Sequence, residues 1–223
     1  MKLLRILRVS VVATTMAIGS ASVANAATIA VWDLDGALGA TLPVTTVAPG
    51  YTVSSMTAVG VAAGGFSNHF YSTNWGTTLD LAKYVSLQVT NAGPYDLGSV
   101  LFSAESTATA LSTVFVRSSV DGFGSNLASF TWGNPDTLVT NGEMALGLSG
   151  LVGLTELRFY FTAPNAGTSV GFANHEFPGA GFGLPDVGRD FFLVSHVVPE
   201  PASMLLLGSG LAGLVARRVR RKA

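Results

Sequence analysis

From Tyr84 to Asn91 the chain reads YVSLQVTN, with Val85, Leu87 and Val89 on one parity and Ser86, Gln88 and Thr90 on the other. Successive side chains of an extended strand point to opposite faces, so this alternation predicts a strand with one face in a core and the other in water. TELRFYFT, from Thr155 to Thr162, repeats the pattern with Leu157, Phe159 and Phe161 inward and Arg158 and Tyr160 outward. Further strands are predicted over 28–33, 52–59, 97–103, 113–120, 128–132, 144–148 and 191–197. Turn signals separate them, namely Asn91-Ala92-Gly93-Pro94, Asp121-Gly122, Gly133-Asn134-Pro135-Asp136 and Asn141-Gly142. Many short strands without crossover helices predict an all-β fold, an antiparallel β-sandwich or jelly roll. No fixed-period repeat is present, which argues against a solenoid. Two irregular stretches, 43–66 and 164–188, read as long surface loops.

The sandwich pattern stops short of both ends. Lys2, Arg5 and Arg8 precede an apolar run over 9–18, and Ala24-Asn25-Ala26 makes a small-x-small cleavage site. This is the layout of a secretory signal peptide cut after Ala26, so the secretion translocon and signal peptidase are expected partners. At the other end Pro199-Glu200-Pro201 is followed by an uncharged apolar run, 202–216, and a basic tail over 217–222 that begins with Arg217 and Arg218. The prolines fix φ and remove donors, so a helix can start at Pro201 and hardly extend back through it. Glu200 at its start and the arginines at its end both match the helix dipole, and the basic end favours the cytoplasmic side of the inner membrane. About 15 residues at roughly 1.5 Å each fall short of a hydrocarbon core of about 30 Å, which predicts a short, temporary transmembrane helix. The expected organisation is therefore a signal peptide with its helix at 1–26, a sandwich body at 27–197 and a sorting segment at 198–223.

Charge has to be counted without those ends. The chain has 12 basic and 13 acidic residues, but the body keeps only Lys83, Arg117, Arg158 and Arg189. Twelve of the acids remain there, so the body's net charge is about −8. A body of that sign repels phosphate backbones, and no nucleic-acid partner is expected. Cysteine is absent, which excludes thiol catalysis, zinc-thiolate sites and disulfide staples.

The Pro-Glu-Pro, apolar helix and Arg-rich end together resemble the PEP-CTERM sorting signal of Gram-negative bacteria, a segment also named the C-terminal domain of ice-binding proteins. The resemblance implies processing by exosortase and delivery to the cell surface or to the extracellular polysaccharide matrix of a biofilm. Ice binding itself would need regularly spaced threonines, whereas Thr45-Thr46, Thr77-Thr78 and Thr107-Ala108-Thr109 are irregular. The body is similar to sandwich domains that precede this signal, through FVRSSVDGFGSNLASFTW at 115–132, Ala30-Val31-Trp32-Asp33 and LRFYF. No catalytic residue carries over from them.

Few residues suggest chemistry. Asp33 and Asp35 at strand spacing share a face and could hold calcium, the one candidate cofactor, or act as an acid/base pair; the other reading is a strand end turning at Gly36. The segment 121–126, DGFGSN, offers oxygens but reads better as a turn from which Phe123 packs back on the sheet. Asp186, Arg189 and Asp190 read as a solvated ion cluster, and His69, His175 and His196 are isolated in sequence. None of the hydrolase, zinc-protease or nucleotide motifs occurs. Tyr71, Asn74 and Trp75, in a predicted loop over 68–76, mix rings and amides as sugar-binding surfaces do; the alternative places Phe70 and Trp75 beneath the loop. The expectation is an exported, non-enzymatic surface or matrix protein that binds exopolysaccharide. The competing reading is a secreted glycan hydrolase using a carboxylate pair.

Overall fold

The structure is a computed structural model that describes residues 26–35, 40–63, 69–107, 110–133, 139–165, 168–173 and 190–195. The signal peptide, its cleavage residue Ala24, and the sorting segment with Pro199, Glu200, Pro201, Arg217 and Arg218 lie outside them. The first strands are β1 (Thr28–Asp33), β2 (Thr41–Leu42), β3 (Thr46–Val47), β4 (Tyr51–Val53), β5 (Met56–Val59) and β6 (Ala62–Ala63). They are followed by β7 (His69–Thr73), β8 (Tyr84–Asn91), β9 (Tyr95–Ser106), β10 (Ser112–Ser118) and β11 (Ala128–Trp132). The last are β12 (Val139–Leu151), β13 (Thr155–Thr162), β14 (Val170–Ala173) and β15 (Asp190–Val194).

One sheet has the order β3-β1-β15-β9-β14-β7-β6, with β12 on the other edge of β9; the second runs β11-β10-β13-β8-β5-β2, with β4 also on β8. The ladders are antiparallel. The long strand β9 organises the first sheet. Its one edge pairs with β12, and its other edge is shared end to end by β15, against Ser99 to Leu101, and β14, against Ser103 to Ser106. The sheet therefore forks, with β1 and β3 continuing from β15, and β7 and β6 from β14.

The sheets pack face to face through aromatic rings. Phe159 on β13 meets Phe172 on β14 at 5.6 Å and Phe191 on β15 at 5.5 Å, both edge-on. Phe161 reaches Phe172 at 5.3 Å, and Phe102 on β9 meets Phe130 on β11 at 5.4 Å. Each pair joins one sheet to the other, so this is the antiparallel β-sandwich that the alternation predicts. Edge-to-face geometry sets the positive ring edge against the negative face and adds to the burial of apolar area.

The loop at 43–66 is corrected, since it contains β3, β4, β5 and β6. These strands have two to four residues each, too few for a period of two to stand out. The predicted strand over 52–59 is broken at Ser54 and Ser55. There the Ser54 hydroxyl accepts the Gln88 N–H at 2.9 Å and keeps β4 and β5 on the same neighbour. The loop at 164–188 contains β14, and 174–189 lies outside the described residues. Asn141-Gly142 is not a turn: both residues sit inside β12, opposite Ser103 and Phe102.

Candidate functional site

Three groups of residues bear on function, beginning with the predicted loop over 68–76. Its first part is strand β7, paired with β14. Trp75 is only 3 % exposed, its indole N–H donates to the Val170 carbonyl at 3.3 Å, and its ring lies 4.9 Å from Phe161. A ring so enclosed cannot stack on a sugar, so Trp75 is corrected from surface platform to core residue. Asn74 is exposed, with φ 70°, and its carbonyl accepts Lys83 Nζ at 2.8 Å. The side chains of Tyr71 and His69 lie outside the description, as do His175 and His196.

The second group is acidic. Asp33 and Asp190 are register partners across β1 and β15. Asp35 donates its backbone N–H to Asp33 Oδ1 at 2.7 Å, and Gly36, where the sequence suggests a turn, lies outside the described residues. Burial, then the charge of Asp33 and a hydrogen bond with it, push the Asp190 carboxyl up to about 6. Among the described residues no group of three or more His, Asp or Glu side chains is placed to hold a metal ion. Because the raised value makes the folded state the better proton binder, stability falls as pH rises from about 4 to 6, and the penalty is fully present above that range. Asp190→Asn should accordingly stabilise the protein near neutral pH. The expected gain is about 1–2 kcal/mol, the full shift being discounted because the carboxyl is half-buried. It should vanish near pH 4. Urea unfolding of both proteins across this range measures it, and an equal gain at both ends would refute the titration.

The third group lies on the outer face of the second sheet and is built by alternation. With Leu157, Phe159 and Phe161 turned inward, Glu156, Arg158 and Tyr160 face out; on β10 the same rule turns Phe115 and Arg117 out. Phe115 opposes Tyr160, and Arg117 opposes Arg158. The Arg158 guanidinium lies between two rings, 4.3 Å from the Tyr84 centroid and 3.8 Å from that of Phe123, while its Nε donates to Glu156 at 2.6 Å. Phe123 gets there because the chain turns through left-handed Gly122 and Phe123, at φ 66° and 62°, after β10. Arg117 Nε donates to Asn126 Oδ1 at 2.7 Å and its Nη1 to the Phe123 carbonyl at 2.9 Å, with its charge 5.6 Å from the Tyr160 ring. Tyr160 is thereby covered to 1 % exposure, whereas Tyr84, Phe115, Phe123 and Arg117 stay partly open.

Sequence reasoning placed Arg158 and Tyr160 outward and Phe123 on the sheet but did not join them into a site. The signal was available in the shared outward parity of RFY in β13 and VFVR in β10. What sequence alone lacks is the register that brings them together. Chemically this face offers a rigid, flat, partly aromatic surface with fixed guanidinium donors.

Residues 197–221 match the family model of the PEP-CTERM protein-sorting motif, and the C-terminal segment is such a motif. No curated protein matches the sequence. Among solved structures, a variant of the family 29 carbohydrate-binding module CBM29-2 complexed with mannohexaose is similar at 11% identity and TM-score 0.39, over 78% of this chain and 95% of that chain. The CBM36-1 domain of a multidomain xylanase from the hindgut metagenome of Trinervitermes trinervoides gives 14% identity and TM-score 0.40, over 66% and 98%. The module CBM36 in complex with calcium and xylotriose gives 13% and 0.34, over 63% and 98%. Scores at this level carry no inference about ligand, which rests on the chain's own surface.

Proposed function

We propose that this is an exported, non-enzymatic protein, held briefly in the inner membrane with its C-terminus cytoplasmic, processed by exosortase, and delivered to the cell surface or the extracellular matrix. There its sandwich binds exopolysaccharide through the outer face of the second sheet. The observation that carries the reading is the sorting motif at 197–221. The signal-peptide layout at the other end supports it, since a sorting motif has a use only on a chain that enters the export route. Cleavage after Ala26 would leave Ala27 as the first residue. Ala27 is already tied to the far end of the sandwich, its N–H donating to Ser195 Oγ at 3.0 Å and its carbonyl accepting the Ser195 N–H at 2.8 Å. The half-open rings of Tyr84 and Phe123 and the fixed Arg117 and Arg158 support glycan binding, as ring faces stack on pyranoses and guanidinium groups donate to their oxygens.

Intact mass of the surface-released protein, with and without the exosortase, tests the sorting. The expected mature chain starts at Ala27 and lacks the segment after the Pro-Glu-Pro motif. A strain without the enzyme, or a Pro199→Ala/Pro201→Ala variant, should accumulate chain that ends at Ala223. Chain ending at Ala223 in every strain would overturn the proposal.

The competing hydrolase reading rests on Asp33 and Asp35 at strand spacing, and of that pair Asp33 Oδ1 already accepts the Asp35 backbone N–H at 2.7 Å.

A further inference from the structure

We infer that the outer face of the second sheet selects acidic glycans, with Arg117 receiving the carboxylate of a uronate residue. This rests on the glycan-binding reading above and narrows it to one class of sugar. The body carries about eight more acids than bases, yet two of its four cations stand side by side on this face as direct register partners. Like charges directly opposed across a ladder are unfavourable. Among the described residues a single carboxylate, Glu156, is ion-paired with either of them, and its partner is Arg158.

Among the described residues Arg117 is held by the neutral Asn126 amide and the Phe123 carbonyl. The nearby Asp121 carboxylate is committed to its own turn, accepting from the Ser125 N–H at 3.0 Å and from the Ser125 hydroxyl. Among the described residues Arg117 therefore has no carboxylate ion-paired with it.

The two contacts of Arg117 use Nε and Nη1, and the residue stays partly open to solvent. A planar guanidinium matches a planar carboxylate through paired N–H···O bonds, and charge-assisted bonds of this kind are roughly twice as strong as neutral ones. Orientation costs little here. Arg117 is already pinned at two of its nitrogens, and Arg158 is sandwiched by Tyr84 and Phe123, so neither side chain has to be ordered on binding. Alongside the fork, the partly open rings provide the stacking surface for the sugar itself. On a body of net negative charge, an arginine without a carboxylate partner among the described residues favours the orientation in which a uronate meets Arg117.

The test is affinity electrophoresis of the full chain in detergent through gels containing alginate, polygalacturonate or neutral dextran. Alginate and polygalacturonate should retard the protein at about tenfold lower concentration than dextran, and rising salt should weaken only the acidic polymers. Arg117→Gln should lose about tenfold on the acidic polymers and much less on dextran while keeping a cooperative melting transition, and Arg117→Lys should fall between. Equal retardation by dextran and alginate, or undiminished alginate binding by a folded Arg117→Gln, overturns the inference while glycan binding stands. No retardation by any polymer overturns both. Should Arg117→Gln fold poorly, Arg117→Lys decides, since it keeps the charge and loses the planar fork, and undiminished alginate binding by it overturns the inference.

Discussion

Phe172→Ala is expected to destabilise the protein by about 3–5 kcal/mol, a large part of the roughly 5–15 kcal/mol that holds a domain folded. Phe172 is fully buried and touches four other rings, Phe191 at 4.7 Å, Phe161 at 5.3 Å, Phe102 at 5.4 Å and Phe159 at 5.6 Å. Truncation removes the transfer free energy of the ring and leaves a cavity that its neighbours cannot collapse into, because they come from three other strands of both sheets. The short strand β14 adds to the effect. It has four residues, all buried, and it joins β7 and β6 to the body of the first sheet. Urea unfolding monitored by tryptophan fluorescence measures the change, with Phe172→Leu expected to recover more than half of it. A loss below about 1 kcal/mol would mean that this ring is not the centre of the core.

The same strand shows what could be read from sequence and what could not. β8 and β13 have eight residues each, one face buried and one wet, so a period of two is written over several cycles and both are found with the right ends. β14, VGFA, is buried on every residue and spans four positions. A strand covered on both faces does not alternate, and one so short carries no period at all.

The site was legible to a similar extent. Parity gave the outward direction of Arg158 and Tyr160, but pairing β10 with β13 requires long-range register, which no local pattern contains. Sequence leaves Trp75 with two readings, platform or core, for a related reason, and the core reading is the one the structure has. Its neighbours Asn74 and Thr77 are polar and exposed, and polarity of flanking residues does not reveal that one indole turns in to reach the Val170 carbonyl. Asp190 illustrates a third limit, since its carboxyl is raised by burial and then by Asp33, more than 150 residues earlier in the chain.

Gly142 separates two reasons for which a strand keeps glycine. The sequence suggests a turn there, because Asn-Gly favours positive φ, yet Gly142 is absent from the positive-φ glycines and pairs squarely with Phe102. Its requirement is space: a Cβ at this position would lie 2.9 Å from two carbons of the Phe102 ring and 2.9 Å from the Phe130 ring. Phe102 cannot yield, being fully buried and packed against Phe130, Phe172 and Phe191. Gly142→Ala should therefore cost about 1–3 kcal/mol through overpacking. Gly147, in the same strand, has φ 62° and open space around the added carbon. Gly147→Ala should cost only the backbone term of about 1 kcal/mol. The two differ in how they can be rescued. Phe130 is only partly buried, so Phe130→Leu should relieve Gly142→Ala, giving a coupling energy of about 0.5–3 kcal/mol in a double-mutant cycle, and should leave Gly147→Ala unrelieved. Additive losses at Gly142 and Phe130 would show that Phe130 is not the ring that keeps a side chain out of this position.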